Sequence, residues 1–478
     1  MHWTRNDTFL VLILVLVALS AGYIYRGFAF DDAFITYRYA RNIVEGRGFT
    51  YNPGQWVLGT TTPLYTLILA APGLIWPDFP SLSHAISTLS LAGCGIFVYL
   101  LGRELNQRIV GLFASLILIT NPLVLSTFGM ETMFSMMLLM AAVTLYTARR
   151  FNLASLALAL ATVTRADAVL MVVVLGIDYI LHKRCLPLRQ VGLYLAVTLP
   201  WFAFSLLVFG SLLPNSVAAK IHAASVPGAY SFLEGILLWG AVYQKSSGLY
   251  ILLLPLSLLG IAQLRRAGRA WRLLVIWAAL YVVAYALLGA PTYAWYYAPL
   301  LSAGASSAAL GLLFLYDFFQ LLATRMRLPA ATPVLLTGLL LVLLIYGQTS
   351  SALWNHQGWM ADPRVRIYRT ASEWFLANSD ENATIAALEI GALGYYSHRQ
   401  MIDLYGLVTP ELIPYLSRGV GNTIEEALRR YKPDFIVDMP VESWMPIVTT
   451  DWFKAAYHPV TRISDQGGVS LTIYQRQD

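Results

Sequence analysis

The chain has 478 residues, 58% of them hydrophobic and 12% charged, with a formal net charge of +6. A soluble globular domain carries about a quarter charged residues, so this composition excludes one and points to a polytopic membrane protein. No basic patch with interleaved aromatics accompanies the positive charge, which argues against a nucleic-acid partner and assigns the surplus to basic cytoplasmic loops.

The first predicted element is a span over 8–25, preceded by Arg5. Its apolar run is too long for a signal-peptide core, so it reads as an uncleaved helix. There follows Phe30-Asp31-Asp32-Ala33-Phe34-Ile35-Thr36-Tyr37-Arg38-Tyr39-Ala40-Arg41. Phe34, Tyr37, Ala40 and Val44 recur at helical spacing between Arg38 and Arg41, which predicts an amphipathic helix lying in the membrane interface. Asp31 or Asp32 is suited to cap that helix. Leu64–Trp76 is apolar but short and bracketed by prolines, so it reads as a second interfacial or re-entrant helix.

Further spans are predicted near 84–101, 109–127, 130–148, 151–164, 166–182, 189–209, 248–264, 271–290, 296–316 and 329–347, eleven in all. With the N-terminus inside, Arg103–Arg108, Arg149-Arg150, His182–Arg189, Arg265–Arg272 and Arg325–Arg327 all become short cytoplasmic loops. The first outer loop (26–83), Ser126–Glu131, the long connection 210–247 and everything after residue 348 then lie outside. Two domains are expected: a transmembrane part over 1–348 and a small α/β domain over 349–478. In the latter, β-rich runs at Ala383–Glu389, Met401–Leu404 and Asp434–Val437 alternate with a helix over Asn422–Tyr431, for which Thr423 looks like the start. Cys94 in an apolar span and Cys185 in a basic loop predict no disulfide scaffold.

Several charged groups stand where chemistry is plausible on residue grounds. Glu131 in Gly129-Met130-Glu131-Thr132 is either a helix cap or a second acid beside the Asp31-Asp32 pair. Arg165 and Asp167 sit between two spans with almost no loop, and charges at membrane depth are costly unless paired or functional. Lys220 follows Pro214-Asn215-Ser216 after a span, as a snorkelling lysine or a phosphate partner. Trp295 and Tyr296 belong to an aromatic belt or line a groove.

The run Asp31-Asp32-Ala33-Phe34-Ile35-Thr36-Tyr37-Arg38-Tyr39-Ala40-Arg41-Asn42, followed by Gly46, Gly48, Asn52-Pro53-Gly54 and Gly59-Thr60-Thr61-Thr62-Pro63-Leu64-Tyr65, resembles the first outer loop of GT-C fold membrane glycosyltransferases. These enzymes take sugar from polyprenyl-phosphate donors, and the nearest resemblance is to the bacterial arabinofuranosyltransferase-like family. It is strong over 28–65, patchy to about 300 and weaker beyond. Gly129-Met130-Glu131-Thr132 resembles the family's Gly-Leu-Glu-Thr element with Met130 for Leu. Thr164-Arg165-Ala166-Asp167 departs from its Thr-Arg-Pro-Glu-Gly.

The resemblance implies an inverting glycosyltransferase in a bacterial plasma membrane, acting on the outer face in cell-envelope synthesis. It would move arabinofuranose or a hexose such as mannose to a glycan, lipid or protein acceptor. Asp31 or Asp32 would be the base, the residues alone not ranking the two. Arg38, Glu131, Arg165, Asn215, Lys220, Trp295 and Tyr296 would bind donor phosphate or substrate. No cofactor is predicted: carboxylates are able to hold Mg²⁺ or Mn²⁺, but no His/Cys cluster indicates a metal. The rival is a transporter or flippase of lipid-linked sugar. Against it stand the lack of an internal repeat and the clustering of acids at one face.

Overall fold

The computed structural model describes residues 3–224, 230–354, 362–416, 420–439, 445–465 and 468–477. Helix α1 (Arg5–Ile24) leads into α2 (Asp31–Val44) and α3 (Pro63–Gly73). The bundle continues with α4 (Phe79–Glu104), α5 (Arg108–Ile119), the short α6 (Pro122–Leu125), α7 (Thr132–Thr147), α8 (Phe151–Thr164), α9 (Val169–Lys183) and α10 (Leu188–Phe209). After it come α11 (Asn215–Ala224), α12 (Phe232–Ser246), α13 (Leu253–Ala262), α14 (Arg269–Leu287), α15 (Ala294–Tyr297), α16 (Leu301–Arg325) and α17 (Thr332–Trp354).

Among the described residues, six helices are long and apolar enough to cross a membrane: Arg5–Ile24, Phe79–Glu104, Leu188–Phe209, Arg269–Leu287, Ala294–Arg325 and Thr332–Ser350. The other five expected spans correspond to shorter helices. The run expected over 109–127 is broken because Pro122 stops α5, and the Asn121 side chain caps the next turn at Leu123 N (3.0 Å). The run expected over 296–316 continues to Arg325, carrying Asp317 within it.

Helix packing follows membrane rules, in which small residues let backbones approach. α13 lies on α16 so closely that a Cβ on Gly260 would sit 1.7 Å from the Ser307 carbonyl oxygen. Leucines such as Leu16, Leu207 and Leu335 are left exposed on the outside of the bundle.

Beyond the bundle, helix Pro363–Asn378 precedes a five-stranded sheet made of β1 (Thr384–Ala387), β2 (Gln400–Asp403), β3 (Phe435–Asp438), β4 (Tyr457–Ser464) and β5 (Ser470–Arg476). The order is β2-β1-β3-β5-β4, parallel across β2-β1-β3 and antiparallel across the last two pairs. The described helix Val420–Tyr431 begins three residues before Thr423, which is buried and does not mark its start.

α2 is the joint between bundle and sheet. Its polar face does not meet solvent: Arg38, Arg41 and Asn42 are all buried. The C-terminal unit covers that face and supplies carbonyl acceptors. Arg38 donates to the carbonyls of Tyr51 (2.9 Å), Gly394 (2.7 Å) and Arg399 (2.7 Å), and Arg41 to that of Tyr395 (2.6 Å). Around them Phe34 packs against Tyr395 and Tyr396 with ring centroids 5.5 and 5.4 Å away.

Candidate active site

A polar hollow with about 880 Å³ of empty space lies where α2, the Gly59–Thr62 strap, the turn before α7, the α8–α9 break and the start of α15 converge. Asp32, Glu131, Arg165, Asp167, Tyr285, Trp295 and Tyr296 line it, with Leu407 from the C-terminal unit.

The paired aspartates part company here. Successive helical residues point about 100° apart, and here that step sends the two side chains to different surroundings. Asp32 lines the hollow. Asp31 is buried, and its carboxylate accepts N–H bonds from Gly391 (2.8 Å) and Ala392 (2.7 Å) at the start of helix Gly391–Ser397. Burial pushes the Asp31 carboxyl up to about 7, against the opposing pull of those N–H donors. The N-cap of α2 is Phe30, with no side-chain bond, and the Asp31 carboxylate turns away from this helix. Asp31 caps the neighbouring domain's helix instead.

Glu131 is aimed by a glycine turn. Gly129 has φ +83°, a conformation that disfavours a side chain, and a Cβ there would lie 2.8 Å from the Tyr37 hydroxyl. Tyr37 and Ser83 both donate to the Gly129 carbonyl at 2.6 Å, pinning the turn to α2 and α4.

Arg165 stands where α8 ends, its own backbone extended. Its guanidinium donates to Glu131 Oε1 at 2.9 Å and to Asp167 Oδ2 at 2.7 Å. Asp167 Oδ2 also accepts from the hydroxyls of Tyr285 (2.6 Å) and Tyr281 (3.2 Å), whose rings stack 4.3 Å apart. The expected local Arg–Asp pair is thus half of a larger buried network. The lining side chains set three carboxylates against one guanidinium. Among the described residues, no group of three or more His, Cys, Asp or Glu side chains is arranged to hold a metal ion.

Other expected site residues fall differently. Arg38 clamps the C-terminal unit and does not line the hollow; Arg41 shares that work. Asn215 is half-buried and ties α11 to the first loop through its N–H to Leu58 O (3.0 Å), while its neighbours Pro214, Ser216 and Val217 line the hollow. Lys220 lies on α11, but its side chain falls outside the described residues. Trp295 stacks on Tyr293 at 4.6 Å, and the Arg165 guanidinium sits 6.0 Å from the Tyr296 ring.

Two contributions escaped the sequence reading. Tyr281 and Tyr285 are four residues apart on one face of α14, a polar stripe in an apolar span that could have been flagged. Thr36, one helical turn after Asp32, forms a buried hydroxyl cluster with Thr60 and Thr62 at 3.2–3.4 Å on the cavity wall.

A helical membrane bundle roofed by the loop between its first two long helices and by a C-terminal sheet unit, with an acidic hollow between them, is the GT-C fold. ArnT from Cupriavidus metallidurans, solved bound to undecaprenyl phosphate, has this architecture. It aligns with a TM-score of 0.61 at 14% identity, covering 97% of each chain. The Archaeoglobus fulgidus oligosaccharyltransferase, tethered to an acceptor peptide containing the NVT sequon, gives a TM-score of 0.64 at 14% identity, over 99% of this chain and 74% of that one. The oligosaccharyltransferase AglB from the same organism, in complex with an inhibitory peptide and a dolichol-phosphate, gives 0.62 at 13% identity, over 98% and 74%. A family model described as a domain of unknown function (DUF8728) matches residues 357–474, the sheet unit. A comparison with curated proteins finds no match.

Proposed function

We propose that this chain is an inverting membrane glycosyltransferase that moves a sugar from a polyprenyl phosphate to an acceptor hydroxyl of a cell-envelope glycan, lipid or protein. The observation that carries the reading is one carboxylate, Asp32, on the wall of a cavity whose other wall holds a buried, carboxylate-locked arginine. Asp32 takes the acceptor proton as the oxygen attacks the anomeric carbon. The bond from that carbon to the phosphate oxygen breaks with its electron pair, leaving a polyprenyl phosphate. Arg165, held at fixed orientation by Glu131 and Asp167, stabilises the charge gathering on the phosphate oxygens. Lys220, four residues beyond Ser216 on α11, adds the second cation that a cavity with this acidic balance needs. Trp295 and Tyr296 offer faces for a sugar ring or the first isoprene units.

A single base with a phosphate clamp displaces in one step and inverts the anomeric centre. The donor class is arabinofuranose or a hexose such as mannose, presented on the outer side of a bacterial plasma membrane, with the sheet unit 349–478 on that side as well. Solved GT-C structures that hold undecaprenyl phosphate or dolichol-phosphate support a lipid-phosphate donor. The test is release of polyprenyl phosphate by the full chain in proteoliposomes, across a panel of polyprenyl-phosphate pentoses and hexoses. Acceptor-dependent release with one donor is expected. Flipping of donor across the bilayer without release would replace the transferase with a transporter.

A further inference from the structure

The other end of the bundle gathers the basic loops. Asp7 lies 3.9 Å from Arg103 and 3.8 Å from Arg108, the Trp271 ring N–H reaches Gln107 (2.8 Å), and Arg269 pairs with Asp178. There, at the ends of α7 and α9 and the starts of α8 and α14, Arg149, His182, Lys183 and Arg269 line a cleft of about 870 Å³. The nearby acid Asp178 is already engaged, accepting from Arg269 Nε (2.8 Å) and the Tyr146 hydroxyl (2.5 Å). Arg149 and Lys183 are exposed.

Tyr146 and Phe151 belong to this cleft and also to an apolar groove of about 550 Å³ between α7, α8, α9 and α10. The groove passes Leu158 and Val172, seven and eleven residues in from the ends of α8 and α9, a depth of roughly 10–16 Å. Several polar groups on its walls are already hydrogen-bonded: Ser155 donates to Gln190 O (2.6 Å), Gln190 to Asn152 (3.0 Å) and Tyr194 to Thr162 (3.0 Å). Its floor is open at Gly176, where a Cβ would meet nothing within 4 Å.

We propose that the cleft and the groove beside it act together as a binding site for an anionic phospholipid, with the phosphate against Arg149 and Lys183 and an acyl chain in the groove. Charge complementarity selects the headgroup, because basic pockets between spans attract anionic lipid heads. An apolar slot leading inward from those cations selects a ligand with a chain, which a free anion lacks. The site is remote from the sugar-transfer cavity and does not depend on that activity.

The full chain, delipidated in detergent, would be titrated with dioleoylphosphatidylglycerol, dioleoylphosphatidylcholine or inorganic phosphate and retained lipid counted by native mass spectrometry. Phosphatidylglycerol should bind at least tenfold more tightly than phosphatidylcholine and resist millimolar phosphate. The double variant Arg149→Ala/Lys183→Ala should lose that preference, and Gly176→Leu, which fills the slot and leaves every cation in place, should lose retention. Helical content by circular dichroism serves as the folding control for both. Equal retention of the two lipids, displacement by inorganic phosphate, or unchanged retention in either variant would overturn the proposal.

Discussion

Asp31 and Asp32 are chemically identical and adjacent, yet one helical step gives them different work. Asp32 meets the cavity, while Asp31 meets two backbone N–H groups of another domain. Asp31→Asn would turn an amide N–H₂ toward one of those donors, leaving a buried N–H unpaired at about 1–3 kcal/mol. The expected result is a lowered Tm with transfer retained in the folded fraction, read by parallel melting and activity assays. Arg165 sits under a different constraint, since two carboxylates and a tyrosine pair fix its plane. Arg165→Lys keeps the charge but loses the fork, so kcat/KM should fall by about 10²-fold while Tm moves little beyond the cost of rearranging the network. An unchanged kcat/KM would remove Arg165 from the phosphate site.

At the scale of elements, α2 couples the bundle to the sheet unit, and close backbone approach is what permits it. A Cβ on Gly391 would fall 1.8 Å from the Asp31 carbonyl oxygen, and one on Gly394 would fall 2.0 Å from the Tyr51 hydroxyl. Gly391→Ala should therefore lift the sheet unit from α2 and open the sheet unit to protease, with the bundle still folded; limited proteolysis reads this directly.

These contacts also mark what the sequence could and could not disclose. Periodicity revealed α2, and composition revealed a helical membrane bundle and the sheet unit's first three strands, though not which helices are long enough to span. It could not reveal that Arg38 and Arg41 are buried, because their partners are backbone carbonyls some 350 positions away. A basic residue on an amphipathic helix looks the same whether water or a domain covers it. β4 and β5 escaped for a related reason: His458, Pro459, Thr461 and Arg462 make β4 read as loop, and only its pairing with β5 makes it a strand. For the cavity, local motifs marked Asp32, Glu131 and Arg165, whereas the Tyr281–Tyr285 contribution depends on how α14 meets the α8–α9 break.

Over the whole molecule, charge is sorted by end: basic loops gather at one end of the bundle, acids at the cavity. The sheet unit carries buried acids with a pH signature. Burial pushes the Asp403 and Asp438 carboxyls up to about 6, from an unfolded value near 4. The folded form then keeps protons that the unfolded chain gives up between about pH 4 and pH 6, so stability is greatest below this window and falls as pH rises through it. Scanning fluorimetry should show Tm dropping from pH 4 to 7, and Asp438→Asn should flatten part of the drop. A Tm that rises across the window would contradict the burial of these acids.

In the proposed function the two aspartates divide chemistry from architecture, with Asp32 as the base. The most direct measurement is acceptor-dependent release of polyprenyl phosphate by Asp32→Asn and Asp31→Asn, each in proteoliposomes beside the unaltered chain. Asp32→Asn should lose about 10²–10⁴-fold in rate at unchanged Tm, and Asp31→Asn should lose Tm and less than tenfold in rate. Full release by Asp32→Asn, or its loss in a folded Asp31→Asn, would contradict the assignment.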